Sequence, residues 1–400
     1  MQLTPEIKQF IREHQSDNTD KLLLTAARYP GIDVPFAVNQ IIARRQIRDK
    51  LPDWYKHEDL IYPSRLSTEQ CSSEQTARYK QVLLRGDSCC DLTGGLGVDT
   101  YYFAQKAHDV TYIERFPDYC KAAAHNFDIL QANHIRIINA DAREVISTLK
   151  ASTFYIDPAR RAACNKRVFA LTDCEPDLLQ LKPVLLDNAL RTIVKISPMA
   201  DIGETLRLLP ETREIHILAV KNECKELLFI LEPSQPEMPD LSVKIHAVNL
   251  LISSPNQEFI FQEQEEKKAV LRTTGEIARY LYEPNAALLK SGAFKLIAVR
   301  YDLQKIHRHS HLYTSTKLCL QFPGRIFEVL STHEFSGKSL KQLSKEIPKA
   351  NITTRNFPLS VEEIRTRSHI KEGGDIYLFA TTLYNEQKIL IQTRKIPVQV

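Results

Sequence analysis

The stretch Asp91-Leu92-Thr93-Gly94-Gly95-Leu96-Gly97-Val98-Asp99-Thr100 decides how the chain is read. The protein holds 12 glycines in 400 residues, well under the usual share of about 7%, yet three of them stand within four positions here. They follow a β-rich run at 89–93 and open a helical stretch. At such a place glycine lets the backbone turn sharply and approach a ligand at the carboxyl edge of a sheet. A pyrophosphate loop would read G-x-G-x-x-G, but Thr100 takes the third glycine position and Asp91 would oppose a pyrophosphate.

Working outward, short β-rich runs at 110–114, 135–138, 154–157, 193–197, 215–220 and 227–231 alternate with helical stretches. That alternation predicts an α/β fold with a mostly parallel sheet and right-handed crossovers. The second run ends in Glu114, 23 positions after Asp91, close to the spacing of about 20 at which an acid takes both ribose hydroxyls. The third ends in Asn139-Ala140-Asp141-Ala142, with a carboxylate where an adenine amino group would lie. An acid beside the glycine loop suits a ligand with an ammonium group, and S-adenosylmethionine carries one beside a sulfonium.

With acids closing three successive strands at one edge, residues 80–235 resemble the class I S-adenosylmethionine-dependent methyltransferases, whose sheet is Rossmann-like. The resemblance implies that Asp91, Thr93, Gly94, Gly95 and Gly97 serve the methionine end of the cofactor, Glu114 the ribose, and Asp141 with Ala142 the adenine. It also places Asp157 and Pro158, at the end of the fourth strand, against the cofactor and the methyl acceptor. Amino-methylating members carry Asp/Asn-Pro-Pro-Tyr/Phe there; this chain has Asp157-Pro158-Ala159-Arg160, so exocyclic amine chemistry is put in doubt. Asp-Pro-Ala-Arg is also similar to the Asp-Pro-Pro-Arg of RNA uracil-5 methyltransferases. The nucleophilic cysteine those enzymes place after the next strand is replaced by Lys195-Ile196-Ser197-Pro198-Met199, which disfavours covalent catalysis. Asp157, Arg160 and Lys195 are the expected catalytic residues, with Asp157 orienting or deprotonating the acceptor. Arg160 would stack on a base or hold a phosphate. Cys164, although near in sequence, reads as an ordinary thiol.

Residues 1–80 carry apolar positions at helical spacing between prolines and read as a helical N-terminal region. Within it Ser72-Ser73-Glu74 has the look of a helix cap that also stands beside the cofactor. The proline-rich stretch 232–240 reads as a linker closing the methyltransferase domain at 81–235. Beyond it, 236–322 and 323–400 read as two α+β modules, with a helix expected around 276–290 and a strand at 294–301. The whole arrangement resembles a bacterial methyltransferase family with a ferredoxin-like insert and a THUMP-like C-terminal domain. THUMP domains bind RNA in tRNA-modifying enzymes, so the resemblance implies RNA, tRNA or rRNA, as partner. Bases, exposed-looking aromatics and a Gly373-Gly374 turn in 354–360 and 370–380 point the same way. His307, His309 and His311 would share one face of a strand, but no acid or thiol accompanies them, so a basic surface strand is expected and no metal.

Charge agrees with an RNA partner by position more than in total. Residues 290–400 hold 18 Lys/Arg against 9 Asp/Glu, while the rest holds 35 against 40. A basic segment on a near-neutral body suits a polyanion. At 43% hydrophobic and 26% charged, disordered, collagenous and coiled-coil classes are excluded. There is no apolar run long enough for a membrane span and no signal-peptide core at the start, so a cytoplasmic enzyme without a membrane or DNA partner is expected. Eight cysteines form no C-x-x-C pair and read as reduced thiols. Two alternatives stay open: the same chemistry on a protein or small molecule, and a non-catalytic binding module on a methyltransferase fold.

Overall fold

The computed structural model describes residues 2–160, 171, 174–233, 242–252 and 254–397. The chain divides into two compact units, 1–214 with 226–241, and 215–225 with 242–400.

The first unit opens with helices Pro5–Glu13, Thr19–Leu24, Val34–Ile47, Pro52–Tyr55, Arg65–Gln70 and Glu74–Gln81. Local chemistry explains their starts: Thr4, Asn18, Asp33, Ser64 and Ser73 each accept from a backbone N–H of the first turn, and Pro5, Pro35 and Pro52 sit where the missing N–H costs nothing. Ile47, Leu51, Trp54, Tyr62 and Ala77 are buried together with Leu96 and Val98, so these helices pack directly against the glycine loop. Removing the Trp54 side chain from such a core costs about 3–5 kcal/mol.

The sheet of this unit is built from β1 (Ser88–Asp91), β2 (Asp109–Glu114), β3 (Arg136–Asn139), β4 (Ala151–Ile156) and β5 (Ala189–Ile196); the chain then runs through β6 (Thr212–Val220) and β7 (Glu223–Leu231). The strands lie in the order β3-β2-β1-β4-β5-β7. The first five are parallel, and β7 runs antiparallel on β5. Helices Val98–Phe103, Pro117–Ile129 and Leu178–Asn188 serve the crossovers. Central strands such as β4, buried from Thr153 to Ile156, read as continuous apolar runs because both faces are covered. This is the doubly wound sheet expected from the sequence, and its order reverses beside β1, where such sheets bind their ligands.

The second unit contains the antiparallel pair β8 (Lys244–Leu250) and β9 (Gln257–Gln262). It also holds a seven-stranded sheet in the order 304–305, β11 (Tyr313–Ser315), β10 (Tyr280–Pro284), β12 (Gly324–Glu334), β15 (Lys388–Lys395), β14 (Ile376–Thr382), β13 (Asn351–Arg355). Helices Gly337–Glu346 and Val361–Ser368 pack on it through Leu340, Leu343 and Ile364.

Three local expectations are corrected here. Residues 276–290 are not one helix: β10 comes first, and Asn285 then caps the helix Ala286–Ser291 by accepting from the Leu288 N–H at 2.9 Å. Residues 294–301 are not a strand but contain the helix Leu296–Arg300, whose first amides, Lys295 and Leu296, are met by the Glu266 carboxylate at 2.8–3.1 Å. The aromatics of 354–360 and 370–380 are not exposed: Phe379 is fully buried, and Phe357 packs edge-on against Phe335 at 4.9 Å.

Candidate active site

The glycine loop is knit to the strands on both sides. Leu92 N–H donates to Tyr155 O at 2.9 Å, and Gly94 N–H to Ile113 O at 2.8 Å. A Cβ on Gly94 would lie 2.1 Å from the Tyr112 ring, so only glycine lets the loop lie on that ring. Gly97 has φ +85° and its absent Cβ would meet Phe127 at 2.8 Å, which demands glycine on two counts. At Gly95 a Cβ would make only an ordinary van der Waals contact, with Thr93 O at 3.8 Å.

Asp91 lies beneath the loop, 1% exposed. Its oxygens accept from the Thr93 N–H at 3.0 Å and the Thr100 hydroxyl at 2.6 Å. Burial pushes its pKa up to about 7, against the Thr100 hydrogen bond and with help from the charges of Asp99 and Asp157. Thr93 Oγ1 accepts from the Asp157 N–H at 2.7 Å, tying the loop to the end of β4. Glu114 turns toward the loop, its two oxygens accepting from the Gly95 N–H at 3.0 Å and the Phe116 N–H at 2.9 Å. A carboxylate offers about four acceptor positions, so lone pairs remain for a ribose. Asp141 caps the helix Ala142–Val145 and is gripped by the Arg143 fork at 2.7 and 2.9 Å. That hydrogen bonding holds its carboxyl below the usual range despite partial burial. Ala142 and Pro158 are buried beside these acids.

Asp157 and Lys195 meet at the ends of β4 and β5, Oδ2 to Nζ at 2.6 Å. Behind them stands a group that sequence reasoning did not assemble. Lys80, fully buried, contacts Asp99 at 2.9 Å, the Ser72 hydroxyl at 2.6 Å and Glu226 at 3.2 Å; Glu226 reaches Lys195 at 3.9 Å. Asp99 Oδ2 further accepts from Ser72 at 2.7 Å and from Tyr155 at 2.9 Å. Burial opposes the charge on Asp99, but Lys80 and Lys195 outweigh it and hold the carboxyl below its ordinary value. Burial likewise opposes the Lys195 ammonium, and Asp157, Glu226 and Asp99 overcome it, raising its pKa. Ser72, expected near the cofactor, thus belongs to this network, while Ser73 is the cap and Glu74 accepts from the Asp53 N–H at 2.9 Å.

Arg160 lies in a two-residue strand paired with Cys174–Glu175; its side chain and all of Cys164 fall outside the described residues. Phe116, half exposed two positions after Glu114 and covered by the Arg115 guanidinium at 4.8 Å, was not singled out by sequence. Its signal was local: an exposed aromatic two positions past a strand-end acid. A cleft of about 530 Å3 among the N-terminal helices is lined by Lys8, Arg12, Arg44, Arg45 and Arg48 together with the acid Glu58, which pairs with Arg12 at 3.2 Å. The histidines 307–311 occupy a turn rather than a strand: His307 faces Glu386 and Asn356 with the His309 ring 5.5 Å away, while His311 faces Lys305 and Phe294. On the helix Gly337–Glu346, Lys338, Lys341 and Lys345 lie at i, i+3 and i+7 on one exposed face. No helix among the described residues is long and apolar enough to cross a membrane.

Family models describing a ferredoxin-like domain and a THUMP-like domain match residues 280–323 and 324–395. The crystal structure of a candidate methyltransferase from Porphyromonas gingivalis W83 is 38% identical, matches 99% of this chain and 100% of its own, and has a TM-score of 0.88. A candidate rRNA methylase from Clostridium thermocellum is 14% identical over 40% of this chain and 95% of its own, with a TM-score of 0.30. A SAM-dependent methyltransferase from Agrobacterium tumefaciens is 18% identical over 40% of this chain and 61% of its own, also at 0.30. No curated protein matches.

Proposed function

Because the chain belongs to the bacterial class I methyltransferase family that carries a ferredoxin-like and a THUMP-like domain, we propose that it methylates RNA, tRNA or rRNA, from S-adenosylmethionine by direct in-line transfer to a heteroatom. The observation that carries the cofactor reading is the acid set at one sheet edge, Asp91, Glu114, Asp141 and Asp157, around the glycine loop. That donor set fits a cationic ligand with a ribose and an exocyclic amine. Asp91, Thr93, Gly94, Gly95 and Gly97 would hold the methionine end, Glu114 the ribose, and Asp141 with Ala142 the adenine. When bound, the cofactor supplies an electrophilic methyl group.

The chain's own residues do the rest. The β4 end, with Asp157 and Pro158, holds the acceptor in line, and such positioning supplies a large part of the rate. Asp157 orients the acceptor and takes its proton. RNA is supported by the THUMP-like match, by the lysine face of Gly337–Glu346 and by the basic cleft of the N-terminal helices.

Isothermal titration with S-adenosylhomocysteine, beside Glu114→Ala, is the first test. Micromolar binding lost in the variant supports the cofactor site; binding by neither protein sinks the reading. Asp157→Ala is expected to abolish transfer of labelled methyl to total RNA while sparing homocysteine-product affinity. Equal loss of both would move Asp157 to the cofactor.

A further inference from the structure

The network behind Asp157 has a chemical preference of its own. Two lysines stand there, Lys195 on Asp157 at 2.6 Å and Lys80 joined to Lys195 through Glu226. Lys80 is fully buried and Glu226 nearly so, with Glu226 Oε1 left without a hydrogen-bond partner among the described residues. A surface ion pair would be screened and replaceable; a buried lysine held by Asp99, Ser72 and Glu226 is a fixed part of the site.

Charge at the acceptor discriminates between acceptors. An amine nitrogen gains positive charge as it takes a methyl group, and an ammonium beside Asp157 opposes that. A hydroxyl oxygen is a poor nucleophile until it sheds its proton, and an ammonium stabilises the oxygen as it does so. The residues that would flank an amine are also missing, since Ala159 and Arg160 stand where amino-methylating enzymes carry proline and an aromatic. We infer that the acceptor is a hydroxyl, and, resting on the RNA reading above, that it is the ribose 2′-hydroxyl, the hydroxyl found along every RNA strand.

In this step the oxygen–methyl bond forms as the sulfur–methyl bond breaks, and the bonding pair stays on sulfur. The hydroxyl proton passes to Asp157 Oδ1 and then to water, which a side chain 36% exposed can reach. Lys195 keeps its own proton and donates a hydrogen bond to the acceptor oxygen. Glu226 and Lys80 are positioning residues: Glu226 stands 3.9 Å from the Lys195 ammonium, and Lys80 holds Glu226.

The test uses the full chain, tritiated S-adenosylmethionine and total RNA from cells lacking the gene, followed by alkaline hydrolysis. A 2′-O-methyl blocks cleavage of the adjacent phosphodiester, so label is expected in alkali-stable dinucleotides. Label in mononucleotides means base methylation and overturns the hydroxyl inference while leaving RNA methylation standing. No label in any RNA overturns both. Lys195→Met is expected to slow transfer roughly 100-fold or more while binding S-adenosylhomocysteine within about threefold of the parent. Parent-like transfer, or loss of that binding while Lys195→Arg retains it, removes Lys195 from the acceptor side. Glu226→Gln is expected to lower kcat with the RNA KM unchanged; a change in KM alone would sink its positioning role.

Discussion

Asp91 is an acid stored where ionisation is costly. Its ordinary value of 3.8 rises to about 7 in the fold, so the native state binds a proton that the unfolded chain releases between these values. That contribution to stability is fully present below about pH 4 and is lost as pH rises through 7. Asn keeps both hydrogen bonds, its amide oxygen toward the Thr93 N–H and its NH2 toward Thr100. Asp91→Asn is therefore expected to stabilise the ligand-free protein by roughly 4 kcal/mol at pH 8, with the gain shrinking toward pH 5 in urea titrations. A cationic ligand nearby relieves the same cost. Binding of S-adenosylhomocysteine at pH 7 should accordingly release a fraction of a proton, read from calorimetry in buffers of different ionisation enthalpy, and Asp91→Asn should release less. Equal release by both would assign the proton elsewhere.

At the scale of elements, the loop depends on one contact that cannot give way. Gly94→Ala places a methyl inside the Tyr112 ring, with Tyr112 Oη also bound to Gly95 O at 2.6 Å. It should cost about 1–3 kcal/mol in thermal or urea melts and abolish homocysteine-product binding. The helix Gly337–Glu346 is the complementary case, amphipathic with its lysines outward. Replacing Lys338, Lys341 and Lys345 by Glu should leave the fold intact by circular dichroism and weaken RNA binding at least tenfold. The strands and their terminal acids were legible because β-runs, turns and strand ends are written in consecutive residues. The helix Leu296–Arg300 was not, since its cap is Glu266, about thirty residues away, and a short apolar run without a local cap reads equally as strand. Lys80 and Glu226 escaped for the same reason: they are 146 residues apart, and each alone looks like an ordinary helix lysine and strand glutamate. The His307–His311 run misled in the other direction, because alternate spacing shares one face only on a strand: in the turn His307 and His309 stay 5.5 Å apart while His311 goes to Lys305 and Phe294.

For the molecule as a whole, the +9 of residues 290–400 against the −5 of the remainder predicts that the two ligands respond differently to salt. Displacement of about three counterions makes RNA affinity fall roughly 20-fold between 50 and 200 mM salt, while affinity for the buried cofactor site should change less than twofold. Comparable slopes for both would place RNA away from the basic surfaces. The position of Lys80 has another consequence. It belongs to the last of the N-terminal helices and precedes β1, so a shortened chain starting at residue 85 would keep every strand of the sheet and lose the cation shared by Asp99 and Glu226. The helices before the sheet are therefore part of the site's wiring: a protein engineer who trimmed them for convenience would take from Asp99 and Glu226 the buried cation they share while leaving the glycine loop untouched.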